Sequence, residues 1–352
     1  MFKSLYNSIN LYLTFFLFIF SLSNLFSQET VYSAQLDTLN KKITLLTNTQ
    51  IQRVSIDSLD KSEITTTNLP NIQGHEFKLI GDFLVHNSGG FVHRVYNDSI
   101  YRIDKSYDHK MQYGSHTFMH QDTIFKFGGY GFFQSRNILT YFSKDINEWE
   151  IYPINGSLIP KGIHDFTGIY KNGDYWIIGG EITNEFNPRK SDYNDKIYRF
   201  SFPKKEWELL GEVSNDLKLK KNYIPIQDKD LIISNRINII DIKSNQINFS
   251  SLTDFTRKLS DKTLIGIYED NLYFINNDLL NTHRIDKIQV SDILNLNSLE
   301  EETLYNPLAF SLVSKTNILL FISISFFVFF VLNLVLSRRL IFWRSNYYRK
   351  FK

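Results

Sequence analysis

The side chains with the widest chemical reach in this chain are its eight histidines: His75, His86, His93, His109, His116, His120, His164 and His283. They are scattered, but His116 and His120 stand four residues apart in an apolar segment that reads as a strand. In a strand that spacing points both rings to one face, where they could share a metal ion. The plainer reading puts His116 at a fixed position of a repeat and His120 beside a turn, and with it no metal ion and no cofactor is expected. Cysteine is absent, which removes a thiol nucleophile, a Cys-ligated zinc and a disulfide scaffold. No G-x-S-x-G, H-E-x-x-H, EF-hand loop or phosphate-binding glycine loop occurs. Glu300, Glu301 and Glu302 read as polar linker rather than a metal site. No catalytic residue is assigned, and the balance of the sequence is against an enzyme.

Binding chemistry is easier to find. Residues 181–195, EITNEFNPRKSDYND, mix both charges, amides and aromatics. Asn187, Arg189, Asp192 and Tyr193 are the residues there suited to partner contacts. The alternative is a solvated loop in which an insertion is tolerated.

These residues need a scaffold, and the sequence points to strands. The chain of 352 residues holds 30 Phe and 20 Tyr, which favour a pleated, half-buried surface. Two passages, beginning at Gly114 and Gly162, repeat one plan. Each has a His, a short apolar strand, a turn with Asp122 or Asp174, and an aromatic strand ending in Gly-Gly. A polar loop follows, then a Tyr, then a Trp eight or nine residues on. A unit of about 50 residues with four short strands is a propeller signature.

These passages resemble kelch repeats. The resemblance implies that Gly128, Gly129, Gly179 and Gly180 close second strands, and that Tyr141, Trp149, Tyr198 and Trp207 pack between blades. It covers about residues 114–213. The flanks are degenerate: Gly89-Gly90 without a Trp, paired strands around Lys243–Asn245, a hairpin at Glu269–Asn271, and a strand pair within residues 44–58. The expected fold is all-β, a kelch-type propeller of five or six blades within residues 29–310. An open β-sandwich with two kelch-like units is the alternative. Some kelch propellers are copper-radical oxidases whose Tyr is cross-linked to Cys, which this chain lacks. Others are sugar mutarotases, and no residue here matches a motif for that activity.

Both ends are hydrophobic. Lys3 precedes an apolar run from Leu11 to Phe26, and Ser27-Gln28 offer a cleavage point, so residues 1–28 read as a signal peptide. Residues 311–317 read as a juxtamembrane linker. Residues 318–336 carry no charge, and as a helix they would span about 28 Å of a bilayer core roughly 30 Å thick. The tail, residues 337–352, has six basic residues and no acid, which holds it in the cytoplasm. Of 39 Lys and Arg, removing Lys3 and those six leaves 32 against 37 Asp and Glu, so the middle is acidic although the net charge is +2. Nucleic-acid binding is not expected of it.

The expectation is a single-pass protein of the cytoplasmic membrane with its propeller outside, periplasmic or extracellular, binding a protein or glycan as sensor, scaffold or assembly factor. The alternatives are an exported carbohydrate-active enzyme such as a sugar mutarotase, and a signalling ectodomain whose output is supplied in trans.

Overall fold

The computed structural model describes residues 30–59, 64–69, 72–96, 99–213, 223–226, 229–233, 237–249, 262–277, 283–295, 300–307, 323–333 and 335–338. Short apolar strands separated by tight turns fold into successive antiparallel meanders. The first sheet holds Ser33–Asp37, Lys42–Leu46, Gln50–Ser55 and Ile64–Asn68. The second holds Phe77–Ile80, Phe83–His86, Val92–Tyr96 and Ser99–Arg102. The third holds His116–His120, Thr123–Phe127, Leu139–Ser143 and Glu148–Ile151. The fourth holds Thr167–Lys171, Asp174–Ile178, Lys196–Ser201 and Glu206–Val213. The fifth holds Tyr223–Ile226, Lys229–Ile233, Ile237–Asp241 and Gln246–Phe249. The sixth holds Thr263–Tyr268, Asn271–Asn277 and His283–Gln289, followed by a short helix, Val290–Asn295.

The first strand of each sheet lies beside the first strand of the next, and that of the sixth returns to that of the first. Six sheets therefore ring a central channel as the blades of a propeller, with first strands innermost. The count expected as five or six is six. After blade six the chain doubles back: Glu300–Thr303 pairs with the outer strand of blade five and Tyr305–Pro307 with that of blade four.

Turn chemistry explains the regularity. Type I′ turns need two residues with positive φ. They join first to second strands at Gln121-Asp122, Asn172-Gly173 and Glu269-Asp270. Third and fourth strands join through longer turns that end in a left-handed Asn147, Lys205 or Asn245. In a meander, first-to-second turns lie on one face of the ring. Second-to-third loops and the connectors between blades lie on the other, the loop face.

The core is a ring of wedges between blades. Second strands are buried on both faces in blades three and four, TIFKF and DYWII, so they lack the alternation of a one-sided sheet. The wedge between these blades is aromatic, with Phe118, Phe125, Phe127, Tyr175, Phe200 and Trp207. Phe118 and Tyr175 stack with centroids 4.3 Å apart. The next wedge is mainly aliphatic, with Ile169, Ile178, Ile240, Ile247 and Leu304 around Trp176, Leu304 coming from the returning segment.

The chain divides into two compact units between Asn306 and Pro307. Residues 323–333 and 335–338 are helical. Among the described residues no helix is long and apolar enough to cross a membrane. Residues 318–322 and 334 of that span, the expected signal peptide and most of the basic tail lie outside the described residues.

Candidate functional site: the loop face of blades two to four

Glycine pairs shape this face. Gly90, Gly129 and Gly180 have φ of 96°, 103° and 90°, a region side chains rarely adopt. A Cβ on Gly90 would overlap the Tyr107 carbonyl, and one on Gly180 would overlap the Phe166 side chain. The preceding Gly128 and Gly179 are also left-handed, at 71° and 65°. The pairs at 128–129 and 179–180 end second strands, Gly89-Gly90 lies in the loop before the third strand, and each lets the neighbouring connector lie directly on it.

Trp149 donates its indole N–H to the Gly90 carbonyl at 2.6 Å and packs beside Phe142, on the side of blade two. Trp207 is buried on the side of blade three, 4.8 Å from Phe127 between centroids. Tyr198 is buried in the same wedge. Tyr141 stays half-buried, and its hydroxyl donates to Glu150 at 2.5 Å.

At the junction of blades two and three lies a polar network in which Ser88, His86 and Lys126 are buried and Asp108 and Glu76 reach solvent. Ser88 is fully buried and its hydroxyl donates to Asp108. The His86 ring nitrogen Nδ1 lies 2.7 Å from the same hydroxyl oxygen, which is satisfied by the Nδ1–H tautomer. The other ring nitrogen is 3.9 Å from Glu76. Burial pushes the His86 pKa below its ordinary value, against the opposing pull of Asp108 and Glu76. Burial raises Asp108, but hydrogen bonds from Ser88 and the Lys110 N–H outweigh it and leave the carboxyl below its ordinary range. Lys126, from the second strand of blade three, is 1% exposed. Its ammonium donates to the His86 and Asn87 carbonyls at 2.7 and 3.1 Å. Burial, with Lys78 nearby, pushes it down to about 7. With Ser88 sealed, this serine–histidine–carboxylate set fastens two blades and offers no reachable nucleophile.

The junction of blades three and four uses the same residue types nearer the surface. Two small hairpins stand there: Tyr130–Gly131 with Gln134–Ser135, and Glu181–Thr183 with Ser191–Tyr193. They are locked together, the Ser135 N–H donating to Thr183 Oγ1 at 2.7 Å and the Thr183 N–H to Ser135 Oγ at 2.9 Å. Ser135 Oγ is 3.0 Å from His164 Nδ1, and His164 Nε2 is 3.5 Å from Glu181. A cavity of about 340 Å³ opens beside them, lined by Ser135, Thr183, Lys161 and Glu185, the last two an exposed ion pair at 2.8 Å.

The structure places Asn187, Arg189, Asp192 and Tyr193 on this second hairpin, all exposed. The hairpin is built rather than loose. Asn184 accepts the Phe186 and Asn187 N–H groups at 2.9 and 2.8 Å and donates to Asp192 at 2.8 Å. The Asn187 side chain accepts the Arg189 N–H at 3.1 Å. Sequence reasoning missed Phe132 and Phe133 on the neighbouring hairpin, 65% and 75% exposed, and Phe186, 97% exposed. It also missed Lys126 and Ser135, and gave His164 and Thr183 no role of their own. The one signal for the Phe pair is an apolar doublet in an otherwise polar loop, GYGFFQS.

His116 and His120 do share a face, but it is the aromatic wedge. His116 packs beside the Phe118–Tyr175 stack, and burial holds its pKa well below the ordinary value, with Lys78 adding to the effect. His120 stacks on Phe202 at 4.0 Å and bonds the Tyr170 hydroxyl. Among the described residues no group of three His, Asp or Glu could hold a metal ion. The central channel contains a cavity of about 560 Å³ lined by first strands, including Gln35, Leu36, Thr117 and Met119. Lys78 is the titratable side chain in its described lining, with its ammonium 3.5 Å from the Thr117 carbonyl.

No family model matches the chain, and no curated protein does. Among solved structures it is similar to one described as YjhT, at 12% identity and a TM-score of 0.52, over 78% of this chain and 98% of that one. The likeness is one of fold. It agrees with the six-bladed ring described above.

Proposed function

We propose that this chain is a kelch-type propeller, anchored by one helix in the cytoplasmic membrane, that binds a protein or glycan outside it without catalysis. The anchor reading is supported by the uncharged residues 318–336, the acid-free basic tail and the apolar run after Lys3. The kelch reading is supported by glycine pairs in left-handed conformation at strand ends and by tryptophans lodged between blades. The observation that carries the binding reading is the pair of interlocked hairpins. They hold Arg189, Tyr193 and three phenylalanines outward on a braced platform. Exposed aromatics and Arg on a preorganised surface are the usual energetic centre of an interface.

The test is recovery of partners from detergent extracts on the full chain. Replacing residues 185–190 by Asn-Gly keeps the paired strands and removes the tip. Recovery should fall at least tenfold, and unchanged recovery sinks the reading. A carbohydrate-active enzyme is the second reading, favoured by the channel cavity and Lys78. A ligand held there would be lost on Gln35→Trp and kept in the tip variant.

A further inference from the structure

Phe132 and Phe133 form the two-residue turn of the blade-three hairpin, with φ of 50° and 62°. Turns of this geometry elsewhere in the chain use Gln-Asp, Asn-Gly and Glu-Asp. Those small or polar types tolerate left-handed backbone, whereas two consecutive bulky aromatics there are strained. The rings bury little in return, since both are exposed. Neither local propensity nor the core accounts for this pair.

The hairpin is nonetheless held rigidly. Tyr113 and Tyr130 exchange backbone hydrogen bonds at 3.1 and 2.6 Å. Arg136 donates to the Gly131 carbonyl at 3.2 Å, and its guanidinium lies 5.9 Å from the Phe132 ring centroid. Gly131 is pressed so closely on Lys110 and Met111 that a Cβ would overlap them. Around the tip the exposed charges are mostly basic, with Asp192, held by the Asn184 amide, the carboxylate among them. Lys110, Arg189 and Lys190 are exposed and, among the described residues, none lies within ion-pair distance of a carboxylate. Glu185 is paired with Lys161, and Glu181 lies 3.5 Å from the His164 ring.

We infer that the Phe132–Phe133 tip is a preorganised anchor that enters an apolar cleft, edged by carboxylates, on a partner protein. The inference rests on the binding reading of the loop face and names its partner class. A fixed, strained geometry gains affinity only against a partner of fixed shape, where it lowers the ordering cost of association. A fluid lipid surface rewards apolar area without that constraint. A glycan is held in concave sites with convergent polar groups, and the tip is convex and apolar. The unpaired cations require acidic groups at the rim of the cleft.

The experiment uses the full chain. In F132N/F133G the turn takes the residues its geometry prefers, and the melting temperature should rise by roughly 2–8 °C. A fall in melting temperature overturns the strain argument. In parallel, a photoreactive benzoylphenylalanine replaces Phe132 or Phe133 in cell membranes. It should give a protein adduct of discrete mass, absent when the same group replaces Leu39, which is 93% exposed on the opposite face. The protein recovered from that adduct should bind wild type and lose at least tenfold in affinity for F132N/F133G and for a Lys110, Arg189 and Lys190 to Glu variant. Adducts of lipid alone, adducts of twice the chain's mass, or affinity unchanged in either variant overturn the inference. If only the tip replacement at 185–190 abolishes binding, the loop face stands as the site and the Phe anchor falls.

Discussion

The junctions on either side of blade three are made from the same kinds of side chain, yet one is closed and the other open. Between blades two and three, Ser88, His86 and Lys126 are sealed beneath the connector that crosses Gly90. Between blades three and four, Ser135 and Thr183 are half-buried beside an open cavity, and two hairpins project beyond them. The first spends its hydrogen bonds on carbonyls and a carboxylate within the ring; the second uses them to lock surface loops together. A serine–histidine–acid set is therefore no guide to chemistry here. Burial decides whether it is a brace or a platform.

Substitutions can break this contrast. The largest effect is expected from Gly90→Ala, whose Cβ would overlap the Tyr107 carbonyl at a φ of 96°. It should cost about 3–5 kcal/mol, read as loss of folded chain or a much lower unfolding midpoint. Gly173→Ala has a similar φ of 81° but nothing within 4 Å, and should cost only about 1 kcal/mol. Equal costs would mean that the connector does not rest on the glycine.

Next comes the pair of serines. Ser88→Ala leaves the buried His86 short of a partner and should cost about 1–3 kcal/mol. Ser135→Ala, near water, should cost about 1 kcal/mol or less. Denaturant unfolding of the two variants side by side distinguishes them, and a reversed order contradicts the contrast.

A pH series separates the junctions again. Lys126 has its folded pKa pushed down to about 7, so between there and its ordinary value near 10.5 the unfolded chain binds the extra proton. Stability from this group therefore rises with pH across that window, by at most about 1.4 kcal/mol per unit. His86 is also depressed, by burial first. It contributes the same sign below its ordinary value of 6.5, stability being lost as pH falls. Wild type should gain on Lys126→Met from pH 7 to 10, and parallel profiles would contradict the buried cation. The smallest effect is expected at the open junction. Phe186→Ser should move stability by no more than about 0.5 kcal/mol, while weakening partner recovery.

Much of blades three and four was legible in the sequence, because glycines at strand ends and tryptophans after them answer to backbone and volume demands that few residues meet. The blade count was not, because blade two keeps only the Gly89-Gly90 pair and blades one, five and six lack both markers, their wedges resting on residues such as Ile43, Ile247 and Ile275. Residues 181–195 lie between the second and third strands of blade four, with Asn187, Arg189, Asp192 and Tyr193 exposed and Asn194 buried. Phe132 and Phe133 escaped notice because aromatic residues favour strands, whereas their left-handed backbone makes a turn. Lys126 escaped for the opposite reason. A lysine in TIFKF reads as the polar face of a strand, and it is buried because a second strand here is covered on both sides.

The central claim is that the partner sits on the loop face of blades three and four and not in the channel. It is tested most directly by partner recovery on three full chains compared at equal folded amount: wild type, the replacement of residues 185–190 by Asn-Gly, and Gln35→Trp in the channel. The account predicts that the first and third recover the same partner equally and that the second loses it at least tenfold. Loss with Gln35→Trp and retention in the tip variant would place the ligand in the channel and contradict it.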